Sequence, residues 1–244
     1  MPSRYNFMDP DGIVEQINDD NVDWLKSIEL GIIFDIGDFH RLNAVGDCLF
    51  QKHQKVVNID HHIYNEETPF DLNIIDPKSP ATTFMVWKFY EKLNMNNEPL
   101  PNKTATALYS GLVNDTGSFR YTNVTPETHL MAAHLIESKL NPNNIYQSIY
   151  ENRTKEQISV LSSVITNIKY KFNGLLGYCY ITQEILESCG TTAEKTEGFS
   201  EFIRSIDGVE VAYVAVEYND YIKLSFRSRG KYTINDIAAK VGGG

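Results

Sequence analysis

The sequence predicts an α/β protein in which a parallel-sheet domain is followed by a smaller α+β domain with a mixed sheet. Two observations predict the first domain: short apolar runs end in acidic or histidine residues, and the segments between them can form crossover helices. A third observation predicts the second domain, because two apolar segments late in the chain face each other across the turn pair Asn219-Asp220. We place the domains at residues 1–142 and 173–244, joined by a helical linker at 143–172.

The composition is that of an ordinary globular protein, with 42% hydrophobic and 22% charged residues in a chain of 244. A formal net charge of −10 argues against binding of long nucleic acids, since that binding depends on phosphate neutralisation by Lys and Arg. Three scattered cysteines predict neither a disulfide framework nor a thiolate metal site. No apolar run is long enough to cross a bilayer and the first residues lack a signal region, so a cytoplasmic location is expected.

The predicted parallel sheet rests on three apolar runs in the first third of the chain. They lie at residues 30–35, 55–59 and 72–75, and the first two end in acidic residues. The segment at residues 41–54 is long enough for a helix that crosses between the first two strands, which makes them parallel. Weak helical spacing at residues 13–25 precedes the first strand.

Four helices are predicted after the third strand. Ser79 is followed by proline and opens a helix as its N-cap, and Thr125 opens another in the same way. Between them, residues 102–113 form an alanine-rich helix. A polar helix over about residues 145–169 then connects the two domains.

The second domain is predicted from shorter signals. Strands are expected at residues 175–181, 209–217 and 222–226, with a short helix at 200–206. The last helix is capped at Thr233 and ends at the terminal glycines.

Polar side chains suited to metal binding follow three separate elements. Asp60-His61-His62 alone would fit a surface turn equally well. Carboxylates with an imidazole, however, suit Mn²⁺ or Mg²⁺ when they meet, and burying several acids without a cation is costly. A parallel sheet would bring all three groups to one edge. Asp38 would either support a metal ligand there or be solvated. The groups are Asp35 with Asp38, Asp60 with His61 and His62, and Asp115.

The ordered set of motifs resembles the DHH phosphoesterase superfamily. The motifs read FDIGD at 34–38, NIDHH at 58–62 and GLVNDTGSFRY at 111–121. The later segments, SFRS at 225–228 and NDIAA at 235–239 followed by glycines, resemble the DHHA1 domain that accompanies it. Together they cover almost the whole chain, and the nearest subgroup is the nanoRNase type, a bacterial bifunctional oligoribonuclease and 3′-phosphoadenosine 5′-phosphate (pAp) phosphatase.

The resemblance implies roles for the residues of the first domain. Asp35 would bridge two Mn²⁺ ions, with Mg²⁺ or Co²⁺ as substitutes, and His61 and Asp115 would complete one of the two sites. Asp60 would orient the histidines from behind the metal ligands. His62 would bind the scissile phosphate or handle a proton.

For the second domain, the resemblance implies a substrate-binding patch. Arg227 offers a planar guanidinium suited to phosphate, with Ser228 beside it. Gly242, Gly243 and Gly244 would let backbone N–H groups approach a phosphate closely.

The implied function is hydrolysis of phosphoesters by a metal-activated hydroxide. Short oligoribonucleotides would yield mononucleotides and pAp would yield AMP, with a homodimer as the possible assembly. The acidic net charge fits such substrates better than a processive exonuclease, which requires a basic channel. A cyclic-dinucleotide phosphodiesterase and a non-catalytic nucleotide-binding or regulatory module are the alternatives; a family pyrophosphatase fits the C-terminal pattern less well.

The sequence also departs from the family pattern. The family carries a first motif with one His and two Asp, and nothing before Asp35 matches it. The family's glycine run continues into a histidine, which is absent after Gly244. We therefore expect a fragment cut at both ends, with one metal site largely complete, the other reduced to Asp35, and weak or no activity.

Overall fold

A computed structural model describes the protein and confirms the α/β class. It separates into two compact units, Met1–Asn152 and Arg153–Gly244, and each is treated by itself. The boundary lies inside the predicted linker, while the division into catalytic and substrate-binding domains stays a prediction. The described residues are 3–50, 54–63, 68–93 and 98–242.

The first unit contains the predicted parallel sheet. Its strands are β1 (Leu30–Phe34), β2 (Lys55–Asp60) and β3 (Leu72–Ile75), hydrogen-bonded in that order. All three strands occur where the apolar runs predicted them. Phe34 in β1 lies opposite Ile59 in β2, so both strands end at the same carboxyl edge of the sheet.

The connection from β1 to β2 is less helical than predicted. A 3-10 helix at Phe39–Leu42 is followed by α2 (Ala44–Leu49), and Asn43 between them has a left-handed φ of 47°. A residue in that conformation cannot continue a right-handed helix, so the predicted single helix is wrong.

The segment before β1 also carries less helix than its spacing predicted. Only α1 (Val22–Ser27) forms there, after a 3-10 helix at Ser3–Met8. The Asp9 carboxylate accepts hydrogen bonds from the backbone N–H groups of Ile13 and Val14 and holds that stretch as a turn.

The two faces of the parallel sheet differ. Val56 on one face is buried with Leu49 and Phe70. The opposite face is apolar but half-exposed, with relative exposures of 44–53% for Leu30, Ile32, Phe34, Leu72 and Ile74. Parallel sheets are usually covered on both faces, so this face is unusual.

Four helices complete the first unit: α3 (Thr82–Leu93), α4 (Asn102–Asp115), α5 (Pro126–Glu137) and α6 (Pro142–Tyr150). They bury a core that includes Phe84, Trp87, Leu112, Met131 and Leu135. The predicted cap of α5 is confirmed, since the Thr125 hydroxyl accepts from the Thr128 N–H. The predicted start of α3 is wrong by two or three residues, because the helix begins at Thr82 and Ser79 instead serves the site described below.

A glycine sets the distance between α3 and α4. A β-carbon on Gly111 would lie 2.4 Å from Cγ2 of Thr83, a separation that real atoms do not adopt. The two helices therefore approach each other through Gly111, and this contact holds the carboxyl end of α4 close to the sheet edge.

The predicted helix over residues 145–169 is two helices. The first is α6, and α7 (Lys155–Thr166) starts afresh with a capping box in which Thr154 and Gln157 bond each other's backbone N–H. Each helix packs in its own unit, with Ile145 and Ile149 in one core and Val160 in the other. The Thr-x-x-Gln signature explains why the helix restarts here.

The second unit is a four-stranded mixed sheet. Its strands are β4 (Lys169–Lys171), β5 (Leu176–Ile181), β6 (Val211–Glu217) and β7 (Ile222–Ser228), in that order. The β6–β7 hairpin is confirmed, and β5 and β6 are parallel. The sequence did not predict β4.

Three short helices belong to this unit: α8 (Gln183–Ser188), α9 (Phe199–Arg204) and α10 (Asn235–Lys240). α8 was not predicted. α10 follows Ile234, which provides no side-chain cap, so the predicted cap at Thr233 is wrong. No helix among the described residues is both long and apolar enough to span a bilayer.

Candidate metal and phosphate site

Asp35 stands at the carboxyl end of β1 in an uncommon backbone conformation. Its φ is 57°, a left-handed value that costs about 1–2 kcal/mol for a residue with a side chain. The hydroxyl of Thr82 donates to Oδ1 of Asp35 at 2.7 Å. Local strain of this kind is concentrated at functional sites, where neighbouring structure maintains it.

Asp60 is fully buried, and both of its oxygens accept hydrogen bonds from the chain. Oδ2 accepts from the Gly37 N–H at 2.8 Å. Oδ1 accepts from the backbone N–H of His62 at 2.9 Å and lies 2.7 Å from the His62 ring nitrogen Nδ1. These donors stabilise a buried carboxylate and leave it facing the chain rather than a ligand.

One ring nitrogen of His61 is hydrogen-bonded to the backbone, and the other faces two carboxylates. Nδ1 lies 3.2 Å from the carbonyl oxygen of Ser79, and since a carbonyl only accepts, Nδ1 is the donor. Nε2 then presents its lone pair 3.5 Å from Oδ1 of Asp35 and 3.8 Å from Oδ2 of Asp115. This tautomer is the one in which Nε2 serves as a metal ligand.

His62 is held differently although it is the next residue. Because a carboxylate only accepts, the contact with Asp60 assigns the proton of His62 to Nδ1 and leaves Nε2 as the outward ring nitrogen. The two imidazoles meet edge to face, with ring centres 4.6 Å apart. Nδ1 also lies 3.7 Å from Oδ1 of Asp35, so His62 borders the same cluster.

Asp115 reaches the cluster from a helix rather than from the sheet. It is the last residue of α4, the helix predicted at residues 102–113, so the sheet and a helix together bring the three groups to one edge. Burial raises the pKa of Asp115, and the negative charge of Asp35 raises it further. The Asn114 amide donates to Oδ1 of Asp115 at 3.2 Å and partly offsets this effect.

The donor set of Asp35, His61 and Asp115 fits a divalent cation. Ligand atoms about 2.1 Å from a common ion are at most about 4.2 Å apart, and the 3.5 and 3.8 Å separations from Nε2 of His61 satisfy this limit. A second grouping is also compact, with one atom each of Asp35, Asp60, His61 and His62 within 4.8 Å of one another. We favour the first set because the oxygens of Asp60 are already occupied by N–H donors.

Two residues that the sequence did not single out support this cluster. The carbonyl of Ser79 fixes the His61 ring, while its hydroxyl donates to Oδ2 of Asp76 at 2.8 Å. The Asn123 amide donates to the carbonyls of Pro80 at 3.0 Å and of Asp115 at 3.3 Å. The contacts of Ser79 with His61 and of Asn123 with Pro80 join segments that are distant in the chain, so no local pattern marks them.

Other predicted residues lie away from the cluster or outside the described chain. Asp38 accepts from the His40 N–H at 2.8 Å and caps the 3-10 helix instead of supporting a metal ligand. Gly242 follows α10 with a φ of 80° and open space around it. Gly243 and Gly244 lie outside the described residues.

Arg227 and Ser228, in the second unit, already have protein partners. Nε of Arg227 donates to Glu201, and Nη1 donates to the carbonyl of Phe226 at 2.7 Å. Burial alone would raise the pKa of Glu201, but the charge and hydrogen bond of Arg227 outweigh it and lower that pKa. The Ser228 hydroxyl donates to the carbonyl of Tyr232 at 2.7 Å.

The fold and the cluster together are those of an α/β protein of the DHH class, with acidic and histidine side chains gathered at the carboxyl edge of a parallel sheet. Residues 3–112 match the family model described as the DHH family, N-terminal domain. This part of the chain belongs to the DHH family, and the match confirms the resemblance carried by its motifs.

Two curated relatives share a single description, bifunctional oligoribonuclease and PAP phosphatase NrnA. The protein from Bacillus subtilis is 29% identical over 88% of this chain and 67% of its own length. The protein from Thermus thermophilus is 30% identical over 78% of this chain and 55% of its own length. The chain therefore spans little more than half to two thirds of these relatives.

A solved structure shares the fold over nearly the whole chain. It is an exopolyphosphatase-related protein from Bacteroides fragilis, with a TM-score of 0.91 and 21% identity. The match covers 98% of this chain and 71% of that protein. At this identity the likeness supports the architecture alone.

Proposed function

We propose that the protein is a metal-dependent phosphoesterase that hydrolyses short oligoribonucleotides to mononucleotides and pAp to AMP. The observation that carries the proposal is that the adjacent histidines His61 and His62 are held by different partners and face different groups. Nε2 of His61 faces Asp35 and Asp115, whereas His62 is anchored by Asp60 with its own Nε2 outward. The descriptions of the Bacillus and Thermus relatives support these substrates.

The proposed cofactor is Mn²⁺, held by Asp35, His61 and Asp115, with Mg²⁺ or Co²⁺ as substitutes. When bound, such an ion lowers the pKa of water and neutralises charge on the phosphoryl group. Asp35 is also the proposed ligand shared with a second ion. The crowding of Asp35 and Asp115 supports a cation here, because their mutual repulsion is relieved only by a positive charge or a proton.

His62 is the proposed group that contacts the substrate phosphate and moves a proton. Asp60 holds the Nδ1 proton, so Nε2 is the atom that exchanges a proton with the substrate or its leaving oxygen. Asp60 acts only through His62, as a positioning residue. An open depression lined by residues that include Tyr5, Met8 and Val86 adjoins Asp35 and Asp115 and offers apolar surface to a nucleoside.

In the second unit, the proposed DHHA1 substrate-binding domain, Arg227 would bind a substrate phosphate. Its guanidinium has five N–H donors, and the contacts with Glu201 and Phe226 engage Nε and Nη1. Ser228 would have to exchange its bond to Tyr232 for a phosphate oxygen. Gly242, Gly243 and Gly244 remain proposed contacts, and we place the protein in the cytoplasm.

The proposal is tested with His61→Ala and a matched control, His129→Ala, whose ring stacks on Phe119 away from the cluster. Mn²⁺ binding is measured by titration calorimetry, and turnover is measured on pAp and on a 5′-phosphorylated diadenylate. We expect His61→Ala to weaken Mn²⁺ binding at least about ten-fold, the scale seen when ligand environments are damaged, and to lower turnover accordingly.

The two parts of the proposal fail separately. Equal Mn²⁺ affinity in His61→Ala and His129→Ala would rule out the proposed ligand set. Tight Mn²⁺ binding by the parent chain with no turnover of either substrate above the His61→Ala background would instead indicate a binding module, whereas slow Mn²⁺-dependent turnover agrees with the incomplete second metal site that the sequence predicts. Faster turnover of a cyclic dinucleotide than of pAp would contradict the proposed substrate class.

A further inference from the structure

Arg41 is a positively charged group beside the DHH motif that the proposed mechanism has not used. It is exposed, and it forms no ion pair with any other residue that the structure describes. Arg227 in the second unit, by contrast, is paired with Glu201. In a chain with a net charge of −10, an exposed guanidinium without an ion pair among the described residues is available to an anionic ligand.

The position of Arg41 is set by the turn that follows β1. Asp38 caps this turn through the His40 N–H, and the Arg41 N–H donates to the carbonyl of Asp38 at 3.1 Å. Nη1 of Arg41 then donates to the carbonyl of Ile36 at 3.2 Å. One edge of the guanidinium is thereby fixed to the backbone, while its other N–H donors remain for a ligand.

Gly37 places this guanidinium next to His62. A β-carbon on Gly37 would lie 3.5 Å from Nη1 of Arg41 and 3.4 Å from Cγ of His62, so both side chains border one small space. Gly37 has a φ of 67°, a conformation that side chains disfavour, and its N–H is bonded to Asp60. The turn therefore keeps this space open between an arginine and the outward-facing histidine.

We propose that Arg41 and His62 together bind a phosphate group of the nucleotide substrate, with Arg41 as a further substrate-binding residue. The inference rests on the proposed function and deepens it by naming a second cationic contact for the substrate. A planar guanidinium forms two parallel hydrogen bonds with phosphate oxygens, which Lys cannot reproduce.

The test compares Arg41→Gln and Arg41→Lys with Arg153→Gln, an exposed arginine of the second unit, as control. Binding of AMP and of inorganic phosphate is measured by calorimetry in EDTA and in MnCl₂, and kcat and KM are measured for pAp. We expect Arg41→Gln to weaken AMP binding about ten-fold, the scale of one charge-assisted hydrogen bond, and Arg41→Lys to recover part of the loss. Mn²⁺ affinity and Tm should match the control, since Arg41 is exposed and touches no proposed metal ligand.

The outcomes separate this inference from the proposed function. Arg41-dependent AMP binding without Mn²⁺-dependent turnover of pAp above the His61→Ala background would support the anion contact and contradict the phosphoesterase. Normal turnover with unchanged KM and AMP affinity in Arg41→Gln would overturn the role of Arg41 while leaving the phosphoesterase intact. Absence of AMP and phosphate binding by the parent chain, with or without Mn²⁺, would also overturn it.

Discussion

At the scale of single residues, the site depends on which backbone or side-chain partner each ionisable group meets. His61 and His62 are adjacent and chemically identical, yet a carbonyl from Ser79 fixes one ring and the carboxylate of Asp60 fixes the other. Likewise Asp60 is surrounded by N–H donors, whereas Asp115 faces another carboxylate. The same residue types therefore acquire different tasks from their surroundings.

Asp115 provides a prediction about the balance between stability and metal binding. Its pKa is raised in the folded state, so its ionised form destabilises the fold; this penalty is absent at low pH and complete once pH exceeds the folded pKa. In EDTA at pH 7, Asp115→Asn should therefore raise Tm. A change of about 1 kcal/mol shifts Tm by roughly 2–4 °C in a chain of this size, which scanning calorimetry detects.

The same variant should lose its advantage when Mn²⁺ is added. An ion that binds only the folded state stabilises it more strongly the tighter it binds. Asp115→Asn removes one of the side chains proposed to hold the ion. We expect the parent chain to gain more in Tm than the variant as MnCl₂ is titrated. A variant that is less stable than the parent in EDTA would contradict the electrostatic explanation.

At the scale of elements, local signals predicted strands better than helix boundaries. The apolar runs of β1, β2 and β3 are short and bounded by polar residues, so their limits are visible in the sequence. The helices α6 and α7 read as one polar helix, because only the capping box of Thr154 and Gln157 marks the interruption. The helix predicted at residues 41–54 is interrupted at Asn43, because Asn tolerates a positive φ but a single Asn in the sequence does not show that it adopts one.

The contact between α3 and α4 makes a prediction about Gly111. In an isolated helix, Gly→Ala would stabilise by about 1 kcal/mol, but overpacking costs about 1–3 kcal/mol. Since a β-carbon would overlap Thr83, we expect Gly111→Ala to lower the free energy of unfolding in denaturant titrations.

A double-mutant cycle provides the control for this packing argument. Thr83→Ala removes the overlapping methyl group. The Thr83 hydroxyl is buried and has no hydrogen-bond partner among the described residues, so the single change should have a small effect. The Thr83→Ala/Gly111→Ala protein should recover most of the lost stability. Simple additivity of the two changes would show that the contact does not set the helix spacing.

At the scale of the whole molecule, the uncovered face of the parallel sheet is the main surface anomaly. Its apolar side chains resemble a core that lacks its covering layer, and β1 is an edge strand among the described strands. Such a face favours self-association. It therefore supports the homodimer, which stays a prediction.

Replacement of Ile32 at the centre of this face tests its role in assembly. Ile32 is 49% exposed, so Ile32→Lys should place the ammonium group in solvent at little expense to the fold. We expect a lower apparent mass at high concentration by sedimentation velocity and weaker binding of an apolar dye, with the CD spectrum unchanged. Leu130→Lys on α5 is the matched control because Leu130 is also exposed, at 64%, and an equal response to both changes would contradict a specific apolar contact.

The sequence by itself determined the fold class, the three parallel strands, the β6–β7 hairpin and the family, because these follow from local periodicity, turn chemistry and ordered motifs. It also pointed to Asp35, Asp60, His61, His62 and Asp115. The tertiary structure was needed to show that Oδ2 of Asp115 faces Nε2 of His61, that Ser79 and Asn123 hold the cluster, and that Arg41 borders His62. These are contacts between segments distant in the chain, and their geometry depends on packing that no local pattern encodes.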